Sequence, residues 1–351
     1  MSMPQPPHYA PYPYPYPPLP PVSPFSPVKA ARRTMRRAVN RPAGMVLACW
    51  AIAQGLAFIL MGVVGAMEAI RRMESGAGAA SMSEAVRSGV QYAGVISLIG
   101  FGTAMVFLLI ANRRMVFRRG FWTGERGEVR RMRAGWALDF LGLTLCAQAV
   151  FSLTQALFAA LGVTTVSPAL QSLDDSAVTW QMWLYIGLVG PVFEELLFRG
   201  VLMQSLAPYG RNFAIVTSAT MFAFYHGDLA QGTFAFFMGL LLGFVAMEYS
   251  LTWSIALHVF NNAVLGGALP QLAARYGDAG GVVYGLALLG VGIVGGIVVF
   301  VRHGREMRAY ARFNRSPHGT YWGWTSPWFI VFIALESLVI AMSLIGLALA
   351  A

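Results

Sequence analysis

Glu194, Glu195 and Arg199 lie inside the apolar stretch Pro191-Val192-Phe193-Glu194-Glu195-Leu196-Leu197-Phe198-Arg199-Gly200. A charged group at the centre of a membrane helix costs ~3 kcal/mol on insertion scales, so ionisable residues kept there mark a working site. On a helix Glu195 and Arg199 stand four apart, share a face and can pair. Glu194, about 100° round the axis, is left outside that pair. A carboxylate without a fixed partner, shielded from water, is a candidate general base.

Two further groups suit the same chemistry. His226 follows Phe222-Ala223-Phe224-Tyr225, and Asp228 stands two residues on, either orienting the imidazole or facing the outer interface. His258 and Asn262 are one helical turn apart on one face. Each offers an N–H donor. Two converging donors can hold a developing oxyanion, and they can equally bond two helices together. A carboxylate, two imidazoles and an amide on three apolar segments form the inventory for hydrolysing a peptide bond with activated water. Glu194 would take the water's proton, His226 would position the water or the leaving group, and His258 with Asn262 would hold the oxyanion. No HExxH helix is present, although Glu194, His226 and His258 are also the residue types of a His₂Glu metal site.

The elements that must carry these residues are membrane helices. The chain is 57% hydrophobic and 11% charged, with mean hydropathy +0.59. A soluble domain carries about 25% charged residues. Apolar runs predict nine spans at about 43–69, 93–111, 134–162, 180–205, 211–227, 230–248, 252–269, 281–301 and 327–350. The fold class expected is therefore an all-α polytopic bundle. Of 25 Lys and Arg, twenty fall in segments that are cytoplasmic if the N-terminus is inside, and four fall in the opposite loops. That bias predicts N-terminus in and C-terminus out, with Asp174 and Asp175 outside. It also assigns the net charge of +10 to topology rather than to nucleic acid.

Residues 1–42 read as a cytoplasmic tail and 43–351 as one membrane domain. Tyr12-Pro13-Tyr14-Pro15-Tyr16-Pro17-Pro18 favours polyproline II or disorder and can dock a proline-recognition domain, its partner unidentified. No apolar stretch of the secretory-signal kind follows Met1 closely. Lys29, Arg32, Arg33, Arg36, Arg37 and Arg41 form a basic approach suited to anionic lipid headgroups. Cys49 and Cys146 lie in spans as structural thiols, with no metal-type spacing. Gly239 and Gly243 give a small-xxx-small helix contact. Glu248 and Asp139 are expected near cytoplasmic ends, close to water, and Glu336 lies deeper with no assigned role.

Taken in order, Glu194-Glu195-xxx-Arg199, Phe222-xxx-His226 and His258-xxx-Asn262 resemble the CPBP family of intramembrane proteases. That family includes CAAX prenyl endopeptidases of the Rce1 type and bacterial Abi proteins. The resemblance covers about 180–270, with the glycines of the sixth span included. It implies an intramembrane endopeptidase, in a bacterial cell membrane, cutting membrane-associated proteins or peptides near their C-termini. It implies Glu194 as the base, Glu195 as its support, Arg199 as the ordering cation, His226 as a water-positioning group and His258 with Asn262 as the oxyanion site. A metal-free glutamate mechanism is the expectation, with Zn²⁺ on Glu194, His226 and His258 as the alternative. A catalytically inactive immunity or scaffold protein and a proton-coupled transporter are the competing functions. The absence of an internal repeat counts against the transporter.

One geometric demand follows. Counted from the cytoplasmic ends of their spans, His226 and His258 differ in depth by ~13 Å. The fifth span must be tilted, broken or set deeper, with Asn212–Phe213 as loop, for the two to meet.

Overall fold

The computed structural model describes residues 27–75, 91–124, 129–160 and 179–350. The Pro/Tyr tail and the Asp174–Asp175 loop lie outside the described residues. Among those described there is no strand, and the chain runs as nine principal helical segments. These are α1 (Pro27–Glu74), α2 (Ala93–Ala111), α3 (Ala134–Ala160), α4 (180–206), α5 (Arg211–Tyr225), α6 (Leu229–Glu248), α7 (251–274), α8 (Gly277–Phe313) and α9 (Pro327–Ala350).

Six of them, α1, α2, α3, α6, α8 and α9, are long and apolar enough to cross a membrane. Their exposed apolar side chains, such as Phe58 and Ile59 on α1, Val282 and Leu286 on α8 and Leu338 on α9, are surfaces that only a lipid phase would solvate well. Half of the most apolar window of α6 is buried within the protein, against 17% for α1, α3, α8 and α9. Helix α6 is thus an inner helix and those four are peripheral.

The remaining three, α4, α5 and α7, carry all the candidate site residues, and they are the irregular ones. Helix α5 has 15 residues, ~22 Å, which is short of a ~30 Å hydrocarbon core. Helix α4 contains two π-helical stretches, Tyr185–Val189 and Leu196–Met203, and α7 contains one, Asn261–Ala268. A π turn displaces the i→i+4 bonding pattern and recurs at functional sites. In each stretch a backbone carbonyl accepts a hydrogen bond from a side chain of another helix. Asn262 Nδ2 donates to the Ile186 oxygen at 3.2 Å, Ser218 Oγ donates to that of Phe198 at 3.0 Å, and the Tyr284 hydroxyl donates to that of Leu265. Each irregular stretch is therefore tied to the bundle through one of its carbonyls, a bond favoured away from water.

Local sequence explains where these helices start. Thr179, Asp228 and Ser250 cap α4, α6 and α7 by accepting from the backbone N–H of Met182, Gln231 and Trp253. Asp228 is thus a helix cap, a role different from the two read for it from the sequence. Glycines set the spacing of the inner helices. A Cβ on Gly239 would meet Ala219 Cα of α5 at 3.0 Å, and one on Gly243 would meet Ile215 at 3.1 Å. The small-xxx-small pattern of α6 is thus its contact with α5.

Asp139 and Glu248 differ from expectation. Neither is simply solvated at a helix end: they are 8% and 4% exposed. Glu248 is held by Arg211, by Arg130 at 3.6 Å and by the Tyr310 hydroxyl at 2.8 Å. Asp139 faces His303 at 3.1 Å and Arg302 at 3.5 Å. The interior partners come from α5 and α8, segments distant in sequence. Both cysteines are free thiols, Cys49 fully buried.

Candidate active site

The site is built outward from Glu195, which is fully buried near the middle of α4. Oε1 accepts from Arg199 Nη1 at 2.9 Å and from His258 Nδ1 at 3.0 Å. Oε2 accepts from Ser254 Oγ. The same hydroxyl lies 3.0 Å from the Leu242 carbonyl oxygen, which ties α7 to α6. Three donors on one carboxylate are what an ionised group needs away from water. The i,i+4 pairing of Glu195 with Arg199 is as the spacing predicts.

Arg199 is also fully buried, and its Nε and Nη2 have no hydrogen-bond partner. Its guanidinium carbon lies 4.2 Å from the centroid of the Phe222 ring. A desolvated cation–π contact of this kind contributes about 2 kcal/mol and compensates part of that deficit. Gly239 leaves the space required, since a Cβ there would lie 3.2 Å from Arg199 Nη2.

Glu194 has a different environment. Its side chain is 14% exposed, against 0% for Glu195. Oε2 faces His258 Nε2 at 3.6 Å. Because Nδ1 of His258 faces Glu195, Nε2 is the nitrogen turned toward Glu194. At 3.6 Å the two atoms are too far apart for a direct hydrogen bond, and a bridging water suits the gap.

His226 ends α5. Its Nδ1 donates to the Phe222 carbonyl oxygen at 2.8 Å, so Nε2 is the free nitrogen of the neutral ring. Its ring packs edge-on against Phe222 at 4.7 Å between centroids, and the His258 ring lies 5.8 Å from Phe222. The two imidazoles therefore flank one phenyl ring, and the depth gap counted along the spans is closed. Side chains on a helix lean toward its N-terminus, so His226 folds back over the turn that bears Phe222. The closure does not use a loop at Asn212–Phe213. Both residues are helical, and Asn212 Nδ2 donates to the Ala311 carbonyl oxygen.

Asn262 belongs to a neighbouring network. Besides its bond to Ile186, its Oδ1 accepts from Asn261 Nδ2 at 2.9 Å, and Asn261 Oδ1 accepts from Gln148 Nε2 at 2.8 Å. One Nδ2 hydrogen of Asn262 remains uncommitted in this arrangement. The structure thus brings Arg199, His226 and His258 against Phe222, with Glu194 and Glu195 facing His258, and anchors Asn262 where α3, α4 and α7 meet. Among the described residues no group of three or more His, Cys, Asp or Glu stands together in a metal-binding arrangement.

Two contributors carried no role in the sequence reading. Ser254 is one turn before His258, hence on the same face, and that i−4 spacing was the available signal. Phe222 was visible only as the start of the His226 motif. Its place between a guanidinium and two imidazoles depends on how α5 packs on α4 and α7.

Residues 176–264 match the family model of the type II CAAX prenyl endopeptidase Rce1-like proteins. This segment is Rce1-like. Neither a curated protein nor a solved structure matches the chain. The Rce1-like segment contains Glu194, Glu195, Arg199, His226, His258 and Asn262, together with Phe222 and Ser254. Six helices of membrane length surround a segment similar to a prenyl-endopeptidase family, which supports an integral membrane protein.

Proposed function

We propose that this protein is an intramembrane endopeptidase that hydrolyses peptide bonds of membrane-associated proteins or peptides, near their C-termini, with water activated by Glu194. The observation that carries this reading is the placement of His258, bonded to Glu195 through Nδ1 at 3.0 Å while Nε2 faces Glu194 across 3.6 Å.

In this mechanism water sits between Glu194 Oε2 and His258 Nε2. Glu194 accepts its proton as the oxygen attacks the scissile carbonyl carbon. The uncommitted N–H of Asn262 stabilises the oxyanion, as a preorganised donor does best in a water-poor site. Collapse of the tetrahedral intermediate breaks the C–N bond, and the proton held by Glu194 passes to the leaving amine. Glu195 stays ionised against Arg199 and fixes the tautomer and orientation of His258. His226 presents Nε2 to the water or to the leaving group. No step needs a metal, and Zn²⁺ on Glu194, His226 and His258 is the alternative that a chelator distinguishes. We place the N-terminus and the basic end of α1 on the cytoplasmic side.

The test is cleavage of fluorogenic peptides, with and without a lipidated cysteine near the C-terminus, by protein reconstituted in liposomes. Wild type is expected to cut. Glu194→Gln is expected to lose ~10²–10⁴-fold in rate, and Asn262→Ala ~10²-fold in kcat with KM little changed. Activity that persists after exhaustive treatment with a chelator supports the metal-free mechanism, and loss restored by Zn²⁺ overturns it. Equal cleavage by wild type and Glu194→Gln sinks the assignment of the base.

A further inference from the structure

Glu336, on α9 and outside the Rce1-like segment, is a buried carboxyl that the mechanism above does not use. It is 1% exposed. Among the described buried acids, Asp139, Glu195, Asp228 and Glu248 each have a hydrogen-bond partner, whereas Glu336 Oε1 has none. No ion pair reaches it among the described residues. A carboxyl in this situation costs stability, and more so within a membrane helix. Apolar packing alone would be better served by leucine, as it is by Phe332 one turn earlier, which is fully buried.

The carboxyl lies beside the turn that bears His226. Gly227 follows His226 directly and has φ +61°, a left-handed conformation that favours glycine. A Cβ on Gly227 would lie 3.6 Å from Glu336 Oε2 and 3.2 Å from Val339 Cγ1. Helix α9 therefore backs the turn closely at the point where α5 ends and the chain reverses into α6. His226 is otherwise held by its Nδ1 bond to Phe222 O, by ring contacts with Phe222 and Tyr225, and by its backbone N–H to Ala223 O. Glu336 and Val339 are three residues apart on one face of α9, so together they form a ledge under this turn.

We propose that Glu336 is a positioning residue for His226: its carboxyl seats the His226–Gly227 turn and so sets the direction of the imidazole. The functional part of this inference rests on the hydrolase reading above, and the positional part does not. The residue supplying the seat comes from the last described helix, so the site extends beyond the segment with the family's motifs.

The experiment compares wild type with Glu336→Leu, Glu336→Gln and Glu194→Gln in the same liposomes, with His226 followed by ¹⁵N-histidine NMR in detergent and its signal assigned by its loss in His226→Gln. Glu336→Leu removes the uncompensated polar group, so its Tm is expected to equal or exceed that of wild type. Its kcat is expected to fall at least about ten-fold with KM unchanged, since small misplacements of a catalytic group are costly. The His226 signal shifts or broadens while that of His258 stays in place. Glu336→Gln, which keeps the shape and a polar head, restores most of the rate. Full kcat in a folded Glu336→Leu, or an unmoved His226 signal, overturns the proposal. If wild type and Glu194→Gln are equally inactive, the hydrolase reading fails, and the His226 signal alone decides the positioning role. Should Glu336→Leu not fold, Glu336→Met of similar reach takes its place under the same criteria.

Discussion

His258 and Glu195 meet at 3.0 Å, Nδ1 to Oε1, and this one bond fixes which face of the imidazole is presented to Glu194. The two adjacent glutamates have different environments. Glu195 is closed in by donors from α4 and α7, and Glu194 is partly open with one imidazole before it.

On the proposed mechanism, these environments separate stability from activity. Replacing Glu195 by alanine strands Arg199 in the interior without its only hydrogen-bonded carboxylate. Breaking a buried pair from one side costs about 3–5 kcal/mol. Glu195→Ala should therefore unfold well below wild type in a thermal melt, whereas Glu194→Gln should melt within about 1 kcal/mol of it while losing hydrolysis. Equal melting curves for the two variants would contradict the division.

Ser254 gives a finer test. Ser254→Ala removes the donor to Glu195 Oε2, leaving a buried carboxylate oxygen unsatisfied at a cost of about 1–3 kcal/mol. The Arg199 and His258 bonds to Oε1 remain, so the expected rate loss is smaller, roughly ten-fold for 1.4 kcal/mol at the site. Urea or thermal unfolding together with single-turnover cleavage measures both. Ser254→Cys, which keeps a weak donor, should lie between alanine and wild type.

Gly239 sets a steric limit on the same centre. Gly239→Val would press on Ala219 Cα and on the Arg199 guanidinium, and overpacking of this kind costs about 1–3 kcal/mol. Gly62, whose Cβ would meet nothing within 4 Å, is the control position. Gly62→Val should leave both Tm and cleavage close to wild type.

Much of this architecture could be read from residue types, for identifiable reasons. Apolar runs locate the helices, because membrane length and hydropathy constrain each run separately. The pairing of Glu195 with Arg199 follows from spacing on one helix. Contacts that depend on packing between helices were not legible. Phe222 became the shared wall of two imidazoles only through the approach of α5 to α4 and α7. Glu248 gained Arg130, Arg211 and Tyr310 from three distant segments. Asp228 is the instructive case. With Gln231 three residues on and an apolar run following, it carries a helix-start pattern, and its nearness to His226 in sequence suggested chemistry instead. The π turns have no comparable signal, since the residues that satisfy their carbonyls lie on other helices or, for Asn262 and Ile186, 76 positions away.

The donors on Glu195 also bear on how the chain enters the bilayer. Helix α4 leaves the ribosome with two carboxylates and a guanidinium, and at that moment only the Glu195–Arg199 pair is available to offset them. Ser254 and His258 emerge some sixty residues later. A helix with that charge is a poor self-inserting segment on translocon scales. On the reading of α4 as a buried membrane segment, its settling depends on α7 following it, and assembly of the site is completed by a late helix rather than by the one that carries the glutamates.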